Sequence, residues 1–202
     1  MKTIYLASKS PRRRELLRQA GIHFELLPLR AYPLERRDVD ESPLPREAAA
    51  VYVMRIARLK AEAAMRMMLT RHLPPRLVIT ADTTVVLDGE IFGKPADATE
   101  AASMLKRLSG RTHEVLTAVA VASIRDVRTA LSRSEVTFRK LDESEIRQYV
   151  ESGEPHDKAG AYAIQGRAAM FISHLSGSYS GVMGLPLLET AQLIRDFETP
   201  TL

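Results

Sequence analysis

Thr3-Ile4-Tyr5-Leu6-Ala7-Ser8-Lys9-Ser10-Pro11-Arg12-Arg13-Arg14 opens the chain with both kinds of element that decide its fold. Thr3 to Ala7 is a short β-branched and aromatic run, which predicts a buried strand. The run breaks at Ser8-Lys9-Ser10. Ser10 suits a helix N-cap, and Pro11 suits the first helical position, where a missing N–H costs nothing. Leu16, Leu17 and Ala20 form an apolar stripe that ends at Gly21, a natural stop. Ile22 to Leu27 predicts a second strand, so the opening is strand–loop–helix–strand.

The alternation continues outward from there. Residues 28–46, with prolines at 28, 33, 43 and 45 and many charges, predict a long loop. Glu47 to Thr70 predicts a helix, with Val51, Met54, Ile56 and Leu59 at helical spacing. Leu77 to Ala81 and Thr84 to Leu87 predict two strands separated by Asp82, and Glu90 to Phe92 a hairpin arm beyond Asp88-Gly89. A helix capped by Asp97 or Thr99 runs through Leu108. Val115 to Ile124 and Val127 to Phe138 predict two long antiparallel strands, followed by a helix from Asp142 or Ser144 to Glu151. Ala161 to Ile164 and Ala169 to His174 look strand-like, and Pro186 to Phe197 predicts the last helix. Early alternation followed by consecutive strands argues an α/β or α+β fold, a mixed sheet flanked by helices. The sheet order does not follow from this pattern.

The chain has 202 residues, 45% hydrophobic and 27% charged, which fits one globular domain over 1–202 and excludes wholesale disorder. It has no cysteine, so disulfide scaffolds, Cys-ligated metals and thiol catalysis are excluded. No apolar stretch reaches the roughly 20 residues of a membrane span, and the short N-terminal apolar run does not fit a signal peptide. A cytoplasmic protein without a membrane partner is expected. The net charge of +4 suits an anionic ligand, but it is far from a dense nucleic-acid-binding tail, and no stable nucleic-acid partner is expected.

Several polar positions stand out. Ser8 to Arg14 joins a strand to a helix start, where free N–H groups and arginines suit phosphate; a capped helix with a solvated basic face explains it equally well. Asp82 follows an apolar strand at a place where α/β proteins bind ligands, as a metal ligand, a base or merely a turn. Glu41, within Asp38-Val39-Asp40-Glu41-Ser42, belongs to a solvated loop or, if that loop covers a cleft, shares a hard cation with Asp82. Lys94 in Gly93-Lys94-Pro95, and Lys158 and Gln165 bounding the 157–166 loop, are weak signals singly. Ser176 to Gly181 reads better as a flexible connector than as a phosphate cradle. The histidines lack paired spacing for zinc, and nucleophile-elbow, dinucleotide and P-loop fingerprints are absent.

In this order, the strings LASKSPRRRELL, DVDESPLPRE, YVMRIARLKAEAA, ADTTVVLDGEIFGKP, DKAGAYAIQG and GSYSGVMGLPLLET resemble the Maf family of nucleoside triphosphate pyrophosphatases over the whole chain. The resemblance implies a central mixed sheet with a deep cleft, similar to the inosine triphosphate pyrophosphatase fold. It implies metal-dependent hydrolysis between the α and β phosphates, with magnesium or manganese as the cation and the homodimer as one oligomeric state. It places the proton acceptor on Asp82, phosphate-contacting and metal-related positions on Ser8, Arg13, Glu41, Lys60, Lys94 and Lys158, and the metal on Glu41 and Asp82. Arg12, Thr83 and Gln165, together with Lys158, side with the branch acting on dTTP, UTP and modified uridine triphosphates. The branch acting on 7-methyl-GTP is one alternative, and a non-catalytic nucleotide- or nucleic-acid-binding regulator of cell division is another. Arg46 departs from the family, where many relatives carry glycine.

Overall fold

The computed structural model describes residues 3–30 and 38–198. β1 (Ile4–Leu6) leads through Ser8-Lys9-Ser10 into α1 (Pro11–Gln19), with Pro11 at the first position and the Ser10 side chain accepting from the Arg13 N–H. Then follow β2 (Phe24–Leu26), α2 (Ala49–Thr70), β3 (Val78–Leu87), β4 (Glu90–Phe92) and α3 (Ala98–Leu108), the last capped by Asp97. β5 (Thr112–Ala122) and β6 (Val127–Phe138) form the long hairpin, and α4 (Glu143–Glu151) begins with an Asp142–Glu145 capping box. β7 (Ile172–Ser176), α5 (Tyr179–Met183) and α6 (Leu187–Glu198) complete the described chain. The middle of the proline-rich loop, 31–37, lies outside the described residues.

The seven strands form one mixed sheet in the order β2-β1-β3-β5-β6-β7, with β4 also on β3. β1 is parallel to both β2 and β3, and every other pairing is antiparallel. On one face, α2 lays Val53, Ala57, Ala61, Ala64 and Met68 over Val78, Val86, Leu116, Ala118 and Ala120. The alanines let helix and sheet approach closely, at little conformational cost to the helix. On the other face, α1 and α6 cover one end of the sheet through Leu16, Leu17, Leu193 and Ile194, and α3 and α4 cover the other through Leu105, Ile146 and Tyr149. Among the described residues no helix is long and apolar enough to cross a membrane.

Three local expectations are corrected. Asp82 does not end a strand: β3 runs unbroken from Val78 to Leu87, paired with β5 from Val78 to Val86. Aspartate disfavours strands in isolation, but a continuous ladder overrides that preference when the carboxylate has a partner. Ala161 to Ile164 is not a strand; it begins in a short 3-10 turn that Gly160 enters at φ +68, a value closed to most side chains. Ser176 to Gly181 passes from β7 into α5, whose Ser178 cap accepts from the Gly181 N–H, instead of forming a loose connector.

Candidate active site

Strand geometry determines what the site sees. Side chains alternate along β3, so Thr80, Asp82 and Thr84 face α2 while Ala81, Thr83 and Val85 point to the other face. There Ala81 points toward α1 and α6, Thr83 toward Arg13 of α1, and Val85 toward α3 and the turn at Gly160. β1 pairs with β3 only at Val78 and Ile79, and β4 only from Val85 onward. Among the described residues no strand covers that edge between them, and Asp82 and Thr83 sit in the opening.

On the α2 face, the Thr80 hydroxyl donates to the Ala57 carbonyl at 2.7 Å, setting the helix one turn short of Lys60. Lys60 Nζ then reaches Asp82 Oδ1 and Glu41 Oε2, both at 2.8 Å. Asp82 is buried and Glu41 exposed, so the lysine ties the loop carboxylate to the strand carboxylate. Tyr52, two turns earlier on the same helix, donates its hydroxyl to the Glu41 carbonyl at 3.0 Å. Burial, then the charges of Asp82 and Glu41, push its phenol up to about 12, so it remains a donor.

On the opposite face, Arg13 joins three elements. Its Nε donates to the Gly184 carbonyl at 2.7 Å, Nη1 to Ser8 Oγ at 3.4 Å and Nη2 to Thr83 Oγ1 at 3.4 Å. Gly184 ends α5 at φ +115, a left-handed geometry that turns its carbonyl toward the guanidinium. Burial lowers the Arg13 pKa, and the charge of Asp82 opposes that shift. Ser8 Oγ accepts from both Ser10 N–H and Arg13, which leaves its own proton to donate outward.

The remaining cations come from loops. Arg12 is half-buried; burial lowers its pKa, with Asp157 and then Tyr149 opposing. Lys158 is less basic than usual, first through burial and then through repulsion by Arg12, and Lys94 also repels it. These three cations therefore converge. Gly160 N–H donates to the Gly93 carbonyl at 3.0 Å, tying the Lys94 loop to the Lys158 loop. A Cβ on Gly160 would come within 2.8 Å of Val85, so only glycine permits that contact. Gln165 is exposed and lines an open depression of about 440 Å³ with Pro11, Arg12, Arg14, Glu15, Arg18 and Met183. A second depression, about 360 Å³, lies between the 38–44 segment and Arg55, Leu59 and Arg66 of α2. Asp82 lines neither.

The structure thus joins Ser8, Arg13 and Thr83 by hydrogen bonds on one face of β3 and Glu41, Lys60 and Asp82 by ion pairs on the other. Arg12, Lys94 and Lys158 act on one another through their charges, and Gln165 lines the depression beside Arg12. Sequence reasoning missed Tyr52 and Gly184. Tyr52 lay in a helical stretch whose apolar spacing signals core, and Gly184 had no signal beyond its turn. Among the described residues no group of three acids or histidines is arranged to hold a metal.

The chain matches the family described as Maf-like protein over residues 3–197. It is 58% identical to the dTTP/UTP pyrophosphatase of Aromatoleum aromaticum over 98% of this chain and 96% of that one. Identity to the dTTP/UTP pyrophosphatase of Nitrosospira multiformis is 58%, covering 96% of this chain and 93% of that one. For the protein of that name from Dechloromonas aromatica it is 54%, over 95% and 96%. The solved structure of the Staphylococcus aureus Ham1 protein superimposes with a TM-score of 0.54 at 15% identity, covering 98% of this chain and all of the other, which is a likeness of fold.

Proposed function

The chain belongs to the Maf family, and on that footing we propose that it hydrolyses dTTP and UTP, and modified uridine triphosphates, to the nucleoside monophosphate and pyrophosphate. The observation that carries this reading is the placement of Asp82 at an uncovered strand edge, with a basic cluster on both sides of it. A triphosphate brings about four negative charges. Arg13 and Ser8 are fixed donors for its oxygens; Arg12, Lys94 and Lys158 add positive charge from the loops, and Gln165 offers an amide able to read a donor and an acceptor on a base edge.

Asp82 is the proton acceptor. A water held against its carboxylate gives up a proton to it as the water oxygen attacks the α-phosphorus. The bond from that phosphorus to the α–β bridging oxygen breaks, and pyrophosphate leaves with the electron pair. Arg13, oriented from below the strand, stabilises the charge that develops on the phosphates.

Glu41 and Asp82 would hold a divalent cation. Their oxygens already converge on one positive charge, the Lys60 ammonium, and two carboxylates plus substrate oxygens suit magnesium or manganese. When bound, the ion would supply positive charge that offsets the charge of the phosphates. Lys60, beside both carboxylates, would add positive charge for the phosphates.

The test is a hydrolysis panel of dTTP, UTP, CTP, dATP, GTP and 7-methyl-GTP with magnesium or manganese, resolving pyrophosphate from phosphate. Pyrophosphate from dTTP and UTP ahead of the rest is expected. Preference for 7-methyl-GTP would overturn the base reading, and absence of turnover with either metal would overturn the reaction.

A further inference from the structure

The turn that presents Gln165 is held at both ends by a pair of side chains from α4 and the residues just beyond it. The Gly166 N–H donates to the Ala163 carbonyl at 3.0 Å, closing a turn with Ile164 buried and Gln165 exposed at its centre. At the near end, the Ala163 N–H donates to the Tyr149 hydroxyl at 3.3 Å. At the far end, the Arg167 N–H donates to Glu154 Oε2 at 3.1 Å. The pair is itself joined, since the Tyr149 phenol gives its one proton to Glu154 Oε1 at 3.0 Å. Tyr149 is buried edge-on against Phe171, with ring centroids 5.0 Å apart, so its hydroxyl is a firm anchor. Gly166 belongs to the same arrangement. Its φ of −106 is open to any residue, yet a Cβ there would overlap the Glu154 carboxylate. The close approach of Glu154, not the backbone, is what calls for glycine.

We propose that Tyr149 and Glu154 are positioning residues for base selection, acting through the Gln165 turn and not by contact with the substrate. The inference rests on the reading of Gln165 as the amide that faces the base, and deepens it. An amide discriminates between bases only while its donor and acceptor are held to within about 0.5 Å, and a turn released at its ends lets them swing. The phosphate end should not feel that release, because Arg13 and Asp82 are held by Ser8, Thr83, Gly184 and Lys60 instead.

Tyr149→Phe keeps the ring and removes the hydroxyl, and Glu154→Ala removes the carboxylate. Each is expected to lower kcat/KM for dTTP and UTP about tenfold, chiefly through KM, with dATP and GTP staying within about twofold. Inhibition by pyrophosphate, which carries no base, should also stay within about twofold. Gly166→Ala should narrow the preference for dTTP over dATP alone, but add nothing to Glu154→Ala, where the Cβ has room. An equal loss on every triphosphate, or an unchanged preference in folded variants, overturns the inference. If Glu154→Ala does not fold, Tyr149→Phe and Gly166→Ala decide by the same criteria. Gln165→Ala separates the two readings. It should narrow the preference by itself, and Glu154→Ala should then add little. A Gln165→Ala enzyme with its preference intact removes the base reading and the inference with it. A narrowed preference there, with none in Tyr149→Phe and Glu154→Ala, removes the inference alone.

Discussion

The half of the site built on β1, α1 and β3 and the half built on the 93–95 and 157–167 loops hold their polar groups in opposite ways. In the strand-built half, Arg13 makes three hydrogen bonds to three different elements, and Asp82 is buried against Lys60. In the loop-built half, Lys94 and Gln165 are exposed, and among the described residues no hydrogen bond holds either side chain. What is fixed there is backbone. Gly160 bonds to Gly93, and Glu154 takes both the Tyr149 hydroxyl at 3.0 Å and the Arg167 N–H at 3.1 Å. The contrast matches the two tasks. Bond cleavage needs donors and a base set to within fractions of an ångström, whereas recognition of a flexible polyanion needs charge on adaptable side chains.

The sharpest way to break this comparison is Asp82→Asn. The amide still accepts from Lys60 but takes no proton from water, so kcat should fall about 10²- to 10⁴-fold while thermal unfolding stays cooperative. Pyrophosphate release and a melting curve check it, and an active variant would move the base elsewhere.

Acid probes the foundation of the loop-built half. His113 is buried, and burial pushes its imidazole down to about 4, with Nε2 2.9 Å from the Tyr162 hydroxyl under the 158–167 loop. The folded state thus holds His113 neutral where the unfolded chain would protonate it near 6.5. This stability is complete above about pH 6.5 and is lost as pH falls to about 4, by roughly 3 kcal/mol in total. Urea unfolding across that window should show a loss that is smaller by this amount in His113→Gln; equal acid sensitivity in the two proteins would remove His113 from the account.

Lys94→Ala tests whether the loop charges serve binding. KM for dTTP should rise about tenfold with kcat nearly unchanged, since a mobile cation contributes to ground and transition states alike. An equal fall in kcat would place Lys94 with the fixed groups. The smallest effect is expected at Arg46, which adopts φ +60 in the loop that carries Glu41. Glycine suits that conformation better than arginine, so Arg46→Gly should raise Tm by about 1–3 °C without altering turnover.

Local punctuation was legible because it is decided by neighbours in the chain. Ser10-Pro11, Asp97 and Asp142 start helices as their side chains require, and Val127 to Phe138 is a strand to the residue. Asp82 misled as a strand end because its partner, Lys60, lies 22 residues away on a helix that crosses the sheet. Ala161 to Ile164 misled because apolar residues in a tight turn under Tyr149 look the same as residues in a buried strand.

By itself the sequence determined the alternation of strands and helices, the acids, lysines and arginines available for phosphate chemistry, and, through whole-chain motif order, the family. Only the tertiary structure decided that Asp82 and Thr83 answer to opposite layers, that one lysine joins two carboxylates, and that Arg13 reaches Ser8, Thr83 and the Gly184 carbonyl at once. The reason is physical. Caps and turns are satisfied within a few residues, but a side chain's orientation and charge partners depend on the pleat, the sheet register and whatever packs across them.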